Sequence, residues 1–240
     1  MQKKLDLADR FRKCIHPLLL KAMPGRRDFP IKMLNEMPVV EGNKLFAINH
    51  SCVQDAPIAS EVIKEHFYLL VGKQPLELVD KLFFFLNGVV YVDRKSKKNK
   101  KRGLRKMLTI LQDGKNLAIY PEGTWNMTPS KPMLPLSWGI IELARQTGVP
   151  IIPLILEYRT EACYAKYGSP IYINNEIDKQ TGIEQLEEVM ATLKWDIWEQ
   201  FLIEERKEEM KTEFERMIQH RIDAYPKFDL EYELSVVRER

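Results

Sequence analysis

The sequence predicts an α/β domain built on a mixed, mostly parallel sheet with flanking helices. Three observations carry that expectation. Apolar runs of strand length alternate with helix-like stretches from about Asn43 to Tyr158, the segment Val89 to Val92 is rich in β-branched residues, and polar residues able to do chemistry stand just after strands. Strands that alternate with helices form sheets covered on both faces, and ligands then sit outside the strand ends in the connecting loops. A chain of 240 residues can bury one full core and carry an added helical segment.

The elements follow in order. Lys44 to Asn49 reads as a strand, Pro57 to His66 as a helix and Phe67 to Val71 as a second strand. Pro75 to Leu86 reads as a helix and Val89 to Val92 as the third strand. A longer helix covers Asn99 to Gln112, where Leu104, Met107, Leu108 and Leu111 recur at spacings of three and four before Asp113-Gly114 closes it. Asn116 to Tyr120 is the next strand, and a proline-rich loop runs through Pro135. A helix from Ser137 to Gln146, a long buried strand from Val149 to Tyr158 and a short one at Ile171 to Ile173 complete the core.

Both flanks differ from that core, so the chain divides into an N-terminal helical segment (1–38), an α/β domain (39–180) and a C-terminal helical extension (181–240). The first mixes basic residues with Leu5, Leu7, Phe11, Ile15, Leu18, Leu19 and Leu20, the pattern of amphipathic helices. Such a helix either packs on the core or lies in a bilayer interface with Lys and Arg toward headgroups. The last is charged and helix-prone from Gly182 to Ala224, with Trp195, Trp198, Phe201 and Leu202 as one packing stripe. Its distal part, Glu204 to Arg216, reads as a solvated helix or a self-association element.

Composition narrows the function classes. A net charge of +3 creates no global field for nucleic acid, and no nucleic-acid motif accompanies the basic residues. Those residues are uneven, however: Arg94 to Arg102 reads Arg-Lys-Ser-Lys-Lys-Asn-Lys-Lys-Arg, followed by Arg105 and Lys106. That run is either a solvated loop and helix start or an attractor for phosphates and anionic headgroups. Cys14, Cys52 and Cys163 lie far apart without CxxC spacing, so neither a disulfide framework nor a metal site is expected. The first thirteen residues are charged throughout, unlike a signal peptide, and no apolar run reaches the ~20 residues of a membrane-spanning helix.

Three segments hold the candidate chemistry. In Asn49-His50-Ser51-Cys52-Val53-Gln54-Asp55 a His leaves a strand end, and an Asp five positions later stands where a helix starts. A neutral imidazole takes a proton from a hydroxyl when a carboxylate holds its other nitrogen in the right tautomer. Asp55 is expected to serve both as helix cap and as that partner. By itself the His-x4-Asp spacing is a weak signal. In Tyr120-Pro121-Glu122-Gly123-Thr124, Gly123 permits a tight loop after a strand, and Glu122 is expected either to hold a polyol hydroxyl or to be part of a turn. Arg94 ends Gly88-Val89-Val90-Tyr91-Val92-Asp93-Arg94; it suits bidentate phosphate binding or a surface ion pair.

Taken together and in this order, the segments resemble the glycerophospholipid acyltransferase family, whose best known members are the 1-acylglycerol-3-phosphate acyltransferases. The resemblance runs from about Val39 to Ile173. His50 and Asp55 match the family's His-x4-Asp pair, Gly88 to Arg94 its Gly-x-x-x-(Val/Ile)-Asp-Arg block, and Pro121 to Thr124 its Pro-Glu-Gly-Thr block. Val149-Pro150-Ile151-Ile152-Pro153-Leu154 looks like the fourth block. The resemblance implies acyl transfer from acyl-CoA or acyl carrier protein, as co-substrate, to a lysolipid hydroxyl, with His50 and Asp55 catalytic and no metal or other cofactor. Glu122, Gly123, Thr124, Arg94 and Lys131 would bind substrate, with the chain peripheral at the cytoplasmic face of an anionic membrane. Two positions depart from the pattern: Trp125 and Trp138 stand where the family often carries cations. That leaves Arg94 and Lys131 for an acceptor phosphate and admits another lysolipid, a glycolipid or a polyol as acceptor. A non-catalytic lipid or acyl-carrier binding protein is the reading from a different class.

Overall fold

The computed structural model describes residues 2–22, 30–72, 78–93, 95–128, 131–159 and 162–201, together with positions 216, 219 and 223. Among the described residues seven strands form one sheet. They are β1 (Ile31–Met33), β2 (Leu45–Ile48), β3 (Phe67–Gly72), β4 (Val89–Val92), β5 (Asn116–Ile119), β6 (Ile151–Tyr158) and β7 (Cys163–Tyr167). Their spatial order is β1-β7-β6-β2-β5-β3-β4. From β6 to β4 every neighbouring pair is parallel, whereas β7 runs antiparallel to β6 and carries β1 parallel to itself at the edge. The expected mixed, mostly parallel sheet is therefore present.

Among the described residues six helices flank it: α1 (Gln2–Ala22), α2 (Asp55–Ile63), α3 (Leu78–Asn87), α4 (Lys97–Gln112), α5 (Gly139–Thr147) and α6 (Lys179–Gln200). One core layer, under α4, α5 and α6, gathers Leu45, Leu117, Ile141, Leu143, Ile151 and Leu186. The other, under α2, gathers Phe46, Ile48, Ile58, Ile63, Leu69 and Leu154. Alternation of side chains across the pleat explains the division, since Leu45 and Ala47 enter one layer while Phe46 and Ile48 enter the other. Fully buried strands of this kind read as continuous apolar runs, which is why β2 and β6 are visible in the sequence.

Several expectations need correction. Strands β1 and β7 are not marked in the sequence: β1 has three residues on an edge, and β7, Cys-Tyr-Ala-Lys-Tyr, mixes polar with aromatic residues. The expected strand at Ile171 to Ile173 is a single antiparallel bridge from Ile171 to Ile151. Described residues on either side of 39–180 also contribute to the sheet and the core. Strand β1 extends the sheet, and α6 places Leu186, Met190 and Ile197 fully inside the larger core layer. Of the expected stripe, Trp195 is exposed, Trp198 is half-buried and donates Nε1–H to Glu157 at 2.9 Å, and Phe201 packs on Tyr164. Leu202 and the stretch Glu204 to Arg216, save position 216, lie outside the described residues. No described helix is long and apolar enough to cross a membrane.

Candidate active site

Each functional segment leaves the C-terminal end of a parallel strand. His50 follows β2, Tyr120 to Thr124 follows β5, and Tyr158 ends β6, which pairs directly with β2. The rim of an open parallel sheet collects loops from successive strands, so residues distant in sequence meet there.

The loop after β2 is held by its own polar side chains. Asn49, fully buried, uses Oδ1 to accept the Leu156 N–H at 2.7 Å and Nδ2 to donate to the Leu156 carbonyl at 2.9 Å. It thereby continues the β2–β6 pairing with a side chain where the backbone turns away. Glu122, also 0% exposed, accepts the His50 N–H on one oxygen and the Leu134 N–H on the other, both at 2.8 Å. The Asn126 N–H donates to the His50 carbonyl. Together these contacts fix the backbone that carries the imidazole.

The imidazole itself sits between polar and aromatic partners. Its Nδ1 is 2.7 Å from Asp55 Oδ2, and its side chain is 22% exposed. The Tyr120 ring stacks on it with centroids 4.3 Å apart and planes 17° apart, and the Trp125 edge meets it at 5.9 Å. Asp55 is 0% exposed, yet its carboxylate also accepts the Ser51 and Cys52 N–H groups at 2.6 and 2.9 Å and the Tyr158 hydroxyl at 2.7 Å. Burial pushes that carboxyl upward, but His50, the Cys52 N–H and the Tyr158 hydroxyl outweigh it and hold it below its ordinary value. Asp55 is therefore an ionised acceptor for Nδ1–H, which leaves Nε2 as the nitrogen that can take a proton. The expected capping role is not seen: Asp55 is the first residue of α2, Gln54 precedes it, and its carboxylate turns back to the loop.

A profile of the Acyltransferase family matches residues 30–157, more than half of the chain. The chain belongs to the acyltransferase family. Among curated acyltransferases, it is 26% identical over 153 residues to the 1-acyl-sn-glycerol-3-phosphate acyltransferase of Saccharomyces cerevisiae, a match covering 62% of this chain and 49% of that one. It is 25% identical over 127 residues to the 1-acyl-sn-glycerol-3-phosphate acyltransferase of Borreliella burgdorferi, covering 52% and 50%. The chain thus spans about half the length of the curated relatives it matches. The crystal structure of the 1-acyl-sn-glycerophosphate acyltransferase of Thermotoga maritima superimposes with a TM-score of 0.57 at 18% identity, over 80% of this chain and 79% of that one. The acyltransferase fold is shared.

Within this acyltransferase domain the expected site residues separate. His50, Asp55 and Glu122 come together, and Gly123 and Thr124 follow Glu122 in the same loop; Gly123 adopts a φ of 68°, which the tight turn after β5 requires. Glu122 does not face a substrate as expected, because it is fully buried and holds two backbone N–H groups. With burial the largest influence, its carboxyl is pushed up to about 7 despite those bonds and the Lys194 ammonium. Lys131 is exposed and joins the site by its backbone, since its carbonyl accepts from Asn126 Nδ2 at 3.0 Å. Arg94 lies outside the described residues. The neighbouring Asp93 shapes the turn into α4, with its side chain accepting from the Lys95 N–H. Trp125 is only 8% exposed and offers no open face to a sugar ring; Trp138 is 54% exposed, with the Lys179 ammonium 4.4 Å over its ring. Sequence reasoning includes Asn49 and Tyr120 in the site segments without giving either a role, and it misses Tyr158 altogether. Tyr120 had a signal, its place directly before Pro121-Glu122, whereas Tyr158 is 103 positions from Asp55 and is brought there only by strand pairing.

Proposed function

We propose that the protein transfers a fatty acyl group from a thioester, acyl-CoA or acyl carrier protein, to the 2-hydroxyl of 1-acylglycerol-3-phosphate. The observation that carries this reading is the buried, ionised Asp55 at 2.7 Å from His50 Nδ1, in a member of the acyltransferase family. The names of the relatives supply the acceptor. His50 Nε2 takes the hydroxyl proton as the acceptor oxygen attacks the thioester carbonyl carbon. The tetrahedral intermediate then collapses with loss of the C–S bond, and the imidazolium returns its proton to the leaving thiolate. Asp55 stabilises that imidazolium and keeps the neutral ring protonated on Nδ1. Glu122 acts by holding the His50 backbone rather than the substrate.

A lipid acceptor places the protein at a membrane surface, and two features support that. Leu7, Phe11 and Leu18 of α1 and Leu82 and Phe85 of α3 are exposed apolar side chains. Lys97, Lys98, Lys100, Lys101 and Arg102 are exposed in the first turns of α4, which follows β4 and so starts at the same sheet end as His50. Cations at a helix N-terminus oppose the helix dipole, so their placement favours an anionic partner over helix stability.

The test is an acceptor screen: purified protein, one labelled acyl-CoA, and lysophosphatidate beside lysolipids with other headgroups, a glycolipid and glycerol. Label is expected in phosphatidate. Labelling of a sugar-bearing acceptor with lysophosphatidate untouched would overturn the acceptor while keeping the reaction.

A further inference from the structure

We infer that Tyr158 is a positioning residue for this reaction, whose hydroxyl locks the orientation of the Asp55 carboxylate beneath His50. The inference rests on the reading of His50 as the base.

The two Asp55 oxygens are unequally held. Oδ2 takes three donors, the Ser51 N–H, the Cys52 N–H and His50 Nδ1. Oδ1 takes the Tyr158 hydroxyl at 2.7 Å and, at 3.6 Å, the weakly donating Cys52 thiol. Among the described residues every other partner of this carboxylate comes from its own loop, and Tyr158 is the one that ties it to a different strand. Because Asp55 itself is fully buried, losing that hydroxyl would leave a charged oxygen without a strong donor among the described residues. The hydroxyl stays a donor, because burial, with Asp55 beside it, pushes its ionisation far above the ordinary tyrosine value.

This link gives the fourth sequence block a mechanical purpose. Val149 to Leu154 is wholly apolar and offers no acid, base or polar donor side chain, but it leads into and begins β6, which pairs residue for residue with β2 from Leu45–Ile151 to Ile48–Leu154. That register sets Tyr158, four residues beyond Leu154, against the first residue of α2. The other titratable groups that face the pair among the described residues are Cys52 in its own loop, Tyr120 and Glu122 after β5, and Cys163 in β7.

A donor on Oδ1 draws charge away from the carboxylate and so tempers its hold on the imidazole proton. Without it the pair becomes more basic and less well oriented. Tyr158→Phe keeps the ring and removes only the hydroxyl. With acyl-CoA and lysophosphatidate it is expected to lower kcat about tenfold to a hundredfold, with KM for either substrate within about twofold. The acid limb of kcat/KM is expected to move to higher pH. 3-Fluorotyrosine at 158 keeps ring and hydroxyl but donates more strongly, and should move that limb the other way. It keeps the inference testable should the Phe variant fold poorly. A structural role alone would lower thermal stability and leave both limbs in place. An unmoved limb in both variants, with wild-type kcat, overturns the inference. His50→Ala is the control that separates the two claims. If it is inactive while Tyr158→Phe behaves as wild type, only the role of Tyr158 falls; if His50→Ala keeps full activity, the base assignment falls.

Discussion

Two histidine environments stand at opposite ends of the same sheet, and they differ in the partner each ring is given. At the C-terminal ends of the strands, His50 meets an ionised carboxylate and keeps part of its ring exposed. At the N-terminal ends, His66 puts Nε2 2.7 Å from the Asn87 carbonyl, and His16 of α1 puts Nδ1 3.3 Å from the Asn87 side chain. The latter two rings meet edge to face at 5.5 Å, and both are buried. Burial lowers both, His66 to about 4, so these rings stay neutral and serve to dock α1 onto the core. A carboxylate and an opening make a base; carbonyl partners and closure make a strut. Nothing in the local sequence of His66 announces that difference, since Glu65 beside it turns instead to Lys44.

The contrast can be broken most forcefully at Asp55. Asp55→Asn keeps the shape but removes the charge that fixes the tautomer, and should reduce acyl transfer about 10³-fold at neutral pH in an assay of thiol release. An effect under tenfold would mean that the carboxylate is not what distinguishes the two ends.

Stability against pH sharpens the comparison, because the two ends titrate in opposite senses. Glu122 has a folded-state value raised from 4.5 to about 7, so its contribution is fully present below 4.5 and lost as pH rises through 7. His66 has a value depressed from 6.5 to about 4, so its contribution is present above 6.5 and lost as pH falls through 4. Each corresponds to about 3 kcal/mol, and over the shared window they offset one another. Urea unfolding from pH 4.5 to 7 should therefore show a nearly level wild-type curve. Glu122→Gln should lose stability on acidification, and His66→Gln should gain it. Parallel slopes in the two variants would contradict these assignments.

Gly88→Ala gives a smaller and purely structural effect. Gly88 has a φ of 87°, and an added Cβ would lie 2.7 Å from the Tyr68 ring at the His66 end. A loss of about 2 kcal/mol in unfolding free energy is expected, with KM unchanged. Smallest is Trp138→Ala, which removes the ring under Lys179. It should cost about 0.5 kcal/mol by thermal melting. A larger loss of activity than of stability would instead place Trp138 in acceptor binding.

Much of this arrangement is legible in the sequence, for physical reasons that also set the limit. Strands buried on both faces leave unbroken apolar runs, so β2, β3, β5 and β6 can be read directly, and the edge strand β4 is read from its β-branched residues. The strands beyond β6 lack that signature: β7, held between β6 and the edge strand β1, is defined by its antiparallel return along β6 from Cys163–Tyr158 to Tyr167–Leu154, a tertiary event. On α6 the buried Ile183, Leu186, Met190 and Ile197 are interleaved with charges and were outweighed by the tryptophans. In the site, His50 and Asp55 are neighbours in sequence and so stand out as a pair. Glu122 was recognised, but its backbone partners depend on a loop whose course the sequence does not display. Tyr158 lay beyond reach because its contact exists only once β2 and β6 pair.

The most direct test places His50→Gln beside His66→Gln under identical acyl-CoA and lysophosphatidate, following thiol release and phosphatidate formation together. The structure predicts that His50→Gln falls about 10³-fold in kcat while His66→Gln stays within about twofold of wild type. Equal rates in the two variants, or a greater loss in His66→Gln, would contradict the assignment of His50 as the base.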